Sequence, residues 1–260
     1  MMLLQKRVAI VSGIGPGMGR DISVLFAREG CDLVLSARTP ASLESVAAEV
    51  RALGRRALTV PTDIARSSDC ANLVARAEAE FGRVDVLVNN AYHPGSYELF
   101  EHADLAKWRA PLETNVLGTL TLTQAVLPLM KRQSGGSIVM VNSMIVRDVL
   151  PTMASYAASK GALLAATQGI ARELGRYQIR VNSVLPGYIW GATLEGYFAA
   201  QAKQRGVDPR VVYDEVAEKI ALGRIPHSEE IAGAVLFFAS DLSRAVTGQS
   251  LDVNGGQVMA

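Results

Sequence analysis

A tyrosine and a lysine stand four positions apart at Tyr156 and Lys160, and these residue types at this spacing could perform proton transfer. The run that follows, as far as Leu174, is rich in alanine and leucine, which favours a helix. On a helix, two side chains four residues apart project from one face and can act on one small volume. A cation beside a phenol favours the phenolate, so the lysine should lower the pKa of the tyrosine and make it a proton donor and acceptor at neutral pH. The pair alone is weak evidence, because ordinary helix faces also carry both residues.

A glycine-rich turn lies near the start of the chain, between an apolar run at 7–12 and a segment of helical period at 20–29. Glycines allow a tight turn and let the backbone approach a pyrophosphate, while the first N–H groups of the helix can bind the anion. A lone turn of this kind also fits a plain strand–helix connection, but the flanking strand and helix favour nucleotide binding. The predicted site includes Ser12, Gly13, Gly15, Gly17, Met18 and Gly19.

The rest of the chain alternates between short apolar strands and helices, which is typical of the α/β class. This order predicts a Rossmann-type, doubly wound parallel sheet of about seven strands with helices on both faces. No repeat, low-complexity tract or linker interrupts residues 1–260, so we expect a single domain. A long helix is expected over 105–131, where Pro111 should kink it or mark its first turn, and Ser228 should cap the last helix. The expected strands are 7–12, 32–36, 56–60, 84–88, 137–142, 178–184 and 249–253.

In such a sheet the ligand crevice lies at the carboxyl ends of the strands, so the loops that follow strands are the ones to examine. These loops carry polar or small residues suited to ligand contact. They are Asp63 and Ile64 after the third strand, Asn90, Ala91 and Tyr92 after the fourth, Ser143 after the fifth, and Pro186 and Gly187 after the sixth.

Residues 188–226 break the regular alternation directly after the sixth strand, and we expect them to form a mobile lid over the substrate. Gly191 and Gly196 are the expected hinges. The segment is rich in aromatic residues, which could equally pack a small helical subdomain. With Tyr92, Met144 and Met153 near the mouth, these residues predict an apolar pocket for bulky substrates. The aromatic residues are Tyr188, Trp190, Tyr197, Phe198 and Tyr213.

Composition argues against several classes of function. The formal net charge of +1 gives no electrostatic reason to expect nucleic acid or an anionic membrane as partner. No apolar run approaches the ~18 residues of a membrane span. Cys31 and Cys70 lack a CxxC spacing and indicate free thiols in a reducing compartment, so we expect the cytoplasm. The three histidines are isolated and no metal-ligand spacing appears, so no metal is expected; His93, after the fourth strand, is the one that could touch a substrate.

Seven motifs in order, from Val8 to Gly256, resemble those of the short-chain dehydrogenase/reductase family. Ser12 replaces the usual threonine of the cofactor turn, and Tyr92 replaces a usual glycine. The motifs are the turn from Ser12 to Gly19, Asn89-Asn90-Ala91, Asn115 seven residues after Trp108, Ser143 thirteen residues before Tyr156, Lys160 itself, Pro186-Gly187, and the segment from Thr247 to Gly256.

The resemblance implies hydride transfer between a nicotinamide cofactor and a carbonyl or secondary alcohol. It implies that Tyr156 exchanges the proton, that Lys160 lowers the pKa of Tyr156 and binds the nicotinamide ribose, and that Ser143 polarises the substrate oxygen. It also implies that Asn115 holds a water leading to Lys160. Further cofactor contacts are expected from Ile64, Asn90, Ala91, Tyr156, Pro186, Gly187 and Ile189, and substrate contacts from Tyr92, Ser143, Met144, Met153, Tyr156, Tyr188 and Trp190.

Two substrate classes and one different function stay open. The substrate could be a bulky secondary alcohol such as a steroid or terpenoid, or a 3-oxoacyl thioester. A non-catalytic dinucleotide sensor could share the fold, although such a protein has no use for a proton donor.

The end of the second strand decides between NAD and NADP. An acidic residue there would bond the ribose 2′-hydroxyl and repel a 2′-phosphate, but this chain has Arg38, whose fork of donors suits phosphate. Ser36 and Thr39 could add hydroxyl donors, and Asp63 should accept from the adenine amino group. NADP(H) is therefore favoured, and NAD(H) stays open because Arg38 could also stack on the adenine or face solvent.

We also expect a homo-oligomer, most simply a tetramer, from the resemblance and from the small residues of the helix that carries Tyr156. Small side chains permit close helix approach, although they could equally pack within one chain. They are Ala157, Ala158, Ala162, Ala165 and Ala166.

Overall fold

A computed structural model of the chain describes residues 2–259 and shows one parallel sheet of seven strands between two layers of helices. The central strands are almost continuously buried, as expected when helices cover both faces of a sheet. The strands are β1 Val8–Ser12, β2 Asp32–Ala37, β3 Ala57–Pro61, β4 Val86–Asn89, β5 Gly136–Val141, β6 Ile179–Pro186 and β7 Ser250–Val253. The predicted fold class is confirmed, with strand ends within a few residues of those expected.

The strand order is β3-β2-β1-β4-β5-β6-β7. The chain adds strands on one side of β1 as far as β3, and then crosses back to add β4 and the later strands on the other side. In their registers, Ser12 at the end of β1 lies opposite Ser36 on one side and Asn89 on the other. The glycine turn and the loop after β4 therefore emerge side by side. A crevice at such a reversal is where doubly wound sheets bind their ligands.

Helices cover the two faces of the sheet and build a separate apolar core on each. Phe26, Leu43 and Phe238 belong to one core, and Leu73, Val126 and Leu163 belong to the other. The helices are α1 Met18–Arg28, α2 Pro40–Ala52, α3 Ser67–Phe81, α4 Arg109–Leu112, α5 Thr119–Arg132, α6 Ala154–Leu174, α7 Ala192–Arg205, α8 Pro209–Ala217 and α9 Ser228–Ala239. Within the described residues, no helix has both the length and the apolar character needed to cross a bilayer.

The long helix expected over 105–131 is not uniform. A 3₁₀ turn at Leu105–Trp108 leads into α4, and a π-helical segment at Glu113–Gly118 joins α4 to α5. Pro111 lies in the first turn of α4, which is one of its two expected places. A Cβ at Gly118 would stand 2.8 Å from the carbonyl oxygen of Ile64, so this glycine lets the loop after β3 pack on the π segment.

Two local expectations about helix ends and hinges are wrong. The N-cap of α9 is His227, whose backbone N–H donates to the Glu230 carboxylate at 2.9 Å, while the hydroxyl of Ser228 donates to Asp21 on α1. Gly196 lies inside α7 and is not a hinge, whereas Gly191 directly precedes that helix.

Residues 188–226 form α7 and α8 around a small core of their own. Phe198 and Val212 are buried in that core, and Tyr188, Trp190 and Tyr213 pack against it. The alternative of a helical subdomain is therefore realised, and its place after β6 still sets it beside the crevice.

Candidate active site

The glycine turn has two tightly packed glycines and two that face open space. A Cβ at Gly13 would stand 2.5 Å from the backbone of Ala91, and one at Gly19 would stand 2.5 Å from the carbonyl oxygen of Gly13. A Cβ at Gly15 or Gly17 would meet nothing within 4 Å. The turn is therefore held close to the loop after β4 while its outer backbone stays open to a ligand. Gly17 is the N-cap of α1, so free N–H groups of that helix face the same opening. This open backbone fits a dinucleotide pyrophosphate.

Ser12 and Asn90 hold the turn in place from below. The hydroxyl of Ser12 donates to Val88 O at 3.3 Å and accepts from Asn90 N at 3.2 Å. The amide of Asn90 donates to Ser12 O at 3.2 Å and to Gly13 O at 2.8 Å. Both side chains are buried, so they position the turn, and the expected contacts of these two residues with a cofactor stay predictions.

The end of β2 presents Arg38 to solvent, and within residues 2–259 this side chain has no ion-pair partner. The hydroxyl of Ser36 beneath it is fully buried and has no hydrogen-bond partner in the described chain. Asp63 uses one carboxylate oxygen to accept from Ala65 N at 3.1 Å and keeps part of its surface exposed. Arg38 is thus free to meet an anion at the edge of the crevice.

Ser143, Tyr156 and Lys160 converge at the carboxyl end of β5. Ser143 lies two residues after the end of β5 and caps the 3₁₀ turn Met144–Val146, where its hydroxyl accepts from Ile145 N at 3.2 Å. Tyr156 and Lys160 share one face of α6. The ammonium nitrogen of Lys160 lies 5.7 Å from the ring centroid of Tyr156. The predicted cluster is therefore assembled in space.

The expected effect of Lys160 on Tyr156 is not found in this structure. Burial raises the pKa of Tyr156 above its usual value, and a hydrogen bond to Ser143 offsets this only in part. Lys160 is itself 2% exposed, and burial lowers its pKa to about 7. Its Nζ donates to Val141 O at 2.8 Å and is not directed at the phenol. Desolvation is the main cause of both pKa shifts, and neither group contributes to the pKa shift of the other.

Asn115 lies fully buried in the π-helical segment. Its Oδ1 accepts from His93 N at 2.6 Å, and its Nδ2 donates to His93 O at 2.9 Å and to Ser159 Oγ at 2.9 Å. Both amide protons are therefore used within the protein. The side chain fixes the loop after β4 to α6. The expected contact of Asn115 with a water stays a prediction, and the water would have to donate to Oδ1, the remaining acceptor of the side chain.

Two serines near Tyr156, Ser155 and Ser159, belong to the site although the sequence analysis did not identify them. Ser159 Oγ donates to Tyr156 O at 2.7 Å and accepts from Asn115. Ser155 Oγ accepts from Ser96 N at 3.1 Å, which ties the loop after β4 to the first turn of α6. Serines are common in helices, so only the long-range partners of Ser155 and Ser159 reveal this role.

The expected substrate residues have different environments. Tyr92 is 58% exposed and its ring stands edge-on to Tyr156 at 6.5 Å between centroids. Met153 is the partly buried N-cap of α6, and Met144 is almost fully buried. Trp190 is the exception, because its ring packs on Phe198 and Tyr213 against the small core of residues 188–226, at 5.9 Å and 4.7 Å between centroids.

Other ionisable clusters are less suited to chemistry. A groove at the opposite, amino end of the sheet is lined by Arg7 and Arg83, but these pair with Asp241 and Asp85. In the described part of the chain, no group of three or more His, Cys, Asp or Glu side chains could hold a metal ion.

Comparison with known proteins gives consistent matches over nearly the whole chain. A family model described as enoyl-(acyl carrier protein) reductase matches residues 13–257. A 3-oxoacyl-(acyl-carrier-protein) reductase of Thermotoga maritima is 32% identical over 258 residues, covering 99% of this chain and 100% of that protein. A solved structure of NAD+-bound xylitol dehydrogenase has a TM-score of 0.91 at 31% identity, covering 97% of this chain and 99% of the other. A 7α-hydroxysteroid dehydrogenase complexed with NADH and 7-oxo glycochenodeoxycholic acid has a TM-score of 0.88 at 31% identity, covering 100% and 97%.

Proposed function

Because this chain belongs to the short-chain dehydrogenase/reductase family and is an oxidoreductase acting on C=O and CH–OH groups, we propose that its substrate is a bulky, apolar ketone or secondary alcohol. The observation that carries this proposal is the convergence of Ser143, Tyr156 and Lys160 beside an open glycine turn. Exposed and half-buried aromatic residues around Tyr156 support the apolar character of the substrate.

A nicotinamide dinucleotide, when bound, supplies or accepts the hydride. The open backbone of Gly15 and Gly17 would hold its pyrophosphate, Arg38 and Asp63 its adenosine part, and Lys160 its nicotinamide ribose. Asn90, Ala91, Ile64, Pro186, Gly187 and Ile189 would complete its contacts.

During reduction, negative charge develops on the carbonyl oxygen. The hydroxyl of Tyr156 donates its proton to this oxygen, and the hydroxyl of Ser143 donates a hydrogen bond that stabilises the charge. Because burial keeps the Tyr156 phenol protonated, the acid form is ready at neutral pH. Lys160, with a pKa of about 7, exists in both protonated and neutral forms at neutral pH, so it can serve as a proton source when the phenol is restored. Oxidation of an alcohol reverses these steps.

Purified protein with NADPH or NADH and a panel of ketones, alcohols and a 3-oxoacyl thioester tests the function. Consumption of cofactor with bulky ketones supports the proposal. The Thermotoga maritima relative favours the 3-oxoacyl thioester as the second candidate, and preferential turnover of that substrate would establish it. Cofactor binding without consumption under any condition would instead indicate a dinucleotide sensor.

We propose NADP(H) as the preferred cofactor, although the two solved relatives are bound to NAD+ and NADH. The support is Arg38, which is exposed at the end of β2 in place of a carboxylate. Arg38→Ala should reduce kcat/KM for NADPH about tenfold or more, as expected for loss of a charge-assisted hydrogen bond of ~1.5–3 kcal/mol. The same variant should leave kcat/KM for NADH within about twofold, on the order of normal surface effects.

Arg76→Ala is the matched control, because Arg76 is an exposed arginine on α3 and lies outside the residues assigned to the cofactor. A wild-type protein that prefers NADH, or a cofactor preference that Arg38→Ala leaves unchanged, would show that Arg38 does not bind the 2′-phosphate of NADP(H).

We further propose that the chain forms a homotetramer. Ala158, Ala162 and Ala165 are exposed along one face of α6, so they do not pack within the chain, and Leu112 and Leu117 are exposed on α4 and the neighbouring π segment. Such an unpartnered face of small and apolar side chains suits close helix packing with a second copy.

Light scattering at micromolar concentration should therefore give about four times the mass of one chain, and Ala162→Arg should lower it by inserting a bulky charge into the contact. Ala75→Arg, at an exposed position of α3, is the control that should keep the wild-type mass. A monomeric wild-type protein would refute the proposal.

The two cysteines support a cytoplasmic location. Cys31 and Cys70 are free, buried thiols in different cores on opposite faces of the sheet, and burial raises the pKa of both. They are protected from reaction and too separated to pair, as suits a reducing compartment.

A further inference from the structure

Four tyrosines other than Tyr156 lie around the mouth of the crevice, and they come from three separate elements. Tyr92 and Tyr97 lie in the loop after β4, Tyr188 follows β6, and Tyr197 lies on α7. Their rings are unusually open to solvent, with Tyr92 58%, Tyr97 60% and Tyr197 50% exposed. A group of exposed aromatic side chains beside a reactive centre is typical of a binding surface.

The position of Tyr97 is fixed by close contacts between the preceding residues, Gly95 and Ser96, and helix α6. The loop that carries it approaches α6 so closely that a Cβ at Gly95 would stand 2.7 Å from Ser155 Oγ and 3.2 Å from Tyr156 Cβ. Gly95 adopts a left-handed φ of +84°, which only glycine takes without strain, and Ser96 N donates to Ser155 Oγ at 3.1 Å. Tyr97 is therefore held directly beside the helix of Tyr156.

Tyr97 and Tyr197 belong to different elements, and Tyr197 lies beside Tyr188, because both rings pack on Phe198, at 6.1 Å and 6.4 Å between centroids. The pKa of Tyr97 is raised first by burial and then by the phenols of Tyr92 and Tyr197. The pKa of Tyr188 is likewise raised by burial, and then by Tyr197 and Asp148. Tyr197 thus faces both the loop after β4 and the start of the 188–226 segment, so the phenols border one opening from two sides.

The chemistry of this opening favours an uncharged ring. Aromatic faces bind other rings through stacking or edge-to-face contact. Within residues 2–259, the hydroxyls of Tyr92, Tyr97 and Tyr188 have no hydrogen-bond partner, and that of Tyr197 accepts from Gln201 at 2.8 Å and keeps its own proton available. Asp148 acts on Tyr188, and its carboxylate gives no attraction to a negatively charged substrate.

We propose that Tyr97 and Tyr197 are specificity-determining residues that hold the ring of a cyclic, uncharged ketone or secondary alcohol between the loop after β4 and helix α7. Tyr92 continues this aromatic surface down to Tyr156, so the carbonyl of the held ring would reach the proton donor. This inference rests on the proposed function and narrows its substrate class.

Binding of two ketones of equal carbon number, the bicyclic 1-tetralone and the linear 2-decanone, tests the inference by calorimetry on the NADPH-bound Tyr156→Phe protein. The inactive background separates binding from turnover. We expect tighter binding of 1-tetralone, and a loss of about 3- to 10-fold in its affinity with Tyr97→Leu or Tyr197→Leu, as expected for a lost aromatic pair. The affinity for 2-decanone should change less than about twofold, because leucine keeps the apolar bulk.

Tyr97→Phe keeps the ring and should retain the affinity for 1-tetralone, and Tyr177→Leu, at the amino end of β6, is the matched control for a tyrosine remote from the crevice. Equal affinity for the two ketones, or equal losses for both in the leucine variants, would overturn the inference. Turnover of 2-decanone equal to that of 1-tetralone in the wild-type enzyme would also overturn it and leave the proposed function intact. Selective binding of 1-tetralone with no turnover of any ketone would refute the proposed function and leave this inference standing.

Discussion

Replacing Tyr156 by phenylalanine should lower kcat by about 10²–10⁴-fold, the usual value of a positioned acid or base. The substitution removes the hydroxyl that donates to the substrate oxygen and keeps the ring that packs edge-on to Tyr92. It also leaves the contact of Ser159 with the Tyr156 carbonyl, so α6 should keep its position. The measurement is steady-state turnover of a bulky ketone, with the affinity for cofactor measured separately by fluorescence.

Cofactor affinity should stay within about twofold of wild type, since the lost hydroxyl serves the substrate. Tyr177→Phe, which removes a hydroxyl at the far end of the sheet, should leave kcat unchanged. A Tyr156→Phe enzyme that keeps more than about a tenth of wild-type kcat would show that another group supplies the proton, because positioned proton transfer accounts for more than that.

Replacing Lys160 by methionine should lower kcat by about 10²-fold or more and weaken cofactor binding as well. The ammonium is the group that would exchange protons with Tyr156 and bind the nicotinamide ribose. Methionine has a similar length and no charge, so the loss reports on the amine and not on packing. Both kcat and the dissociation constant for cofactor should be measured, since only a residue with both roles changes both.

The same variant should change how stability depends on pH. Burial lowers the pKa of Lys160 to about 7 in the folded protein, whereas an unfolded lysine titrates near 10.4. Between about pH 7 and pH 10 the unfolded chain therefore binds more protons at this residue, so the free energy of unfolding should rise with pH, by at most about 1.4 kcal/mol per pH unit. Below pH 7 both states are protonated and this contribution no longer changes with pH.

The contribution of Lys160 is the difference between wild type and Lys160→Met in denaturant unfolding, because the buried cysteines titrate equally in both proteins. Wild type should gain stability relative to the variant as pH rises from 7 to 10. Lys203→Met, at an exposed position of α7, should follow the wild-type pH dependence. A wild type and a Lys160→Met variant with parallel pH profiles would mean that Lys160 is not neutralised by burial.

The sequence by itself determined those features that depend on local spacing. The parallel sheet follows from apolar runs that alternate with helical ones, and the strand ends place the crevice loops correctly. Tyr156 and Lys160 share a helix face because they are four residues apart, and the glycine turn follows from its position between β1 and α1. Hydrophobic periodicity and backbone conformation depend on a few neighbouring residues, so the sequence alone is enough to predict them.

The tertiary structure decided what depends on burial and on partners distant in sequence. Lys160 donates to Val141 and burial lowers its pKa to about 7, so it does not lower the Tyr156 pKa as its spacing suggests. The side-chain amide of Asn115 donates to His93 and to Ser159. Trp190 packs against a small core, while Tyr97 and Tyr197 come from separate elements, the loop after β4 and helix α7. Each outcome depends on which groups are desolvated together, and desolvation is set by the packing of the whole chain rather than by neighbours in sequence.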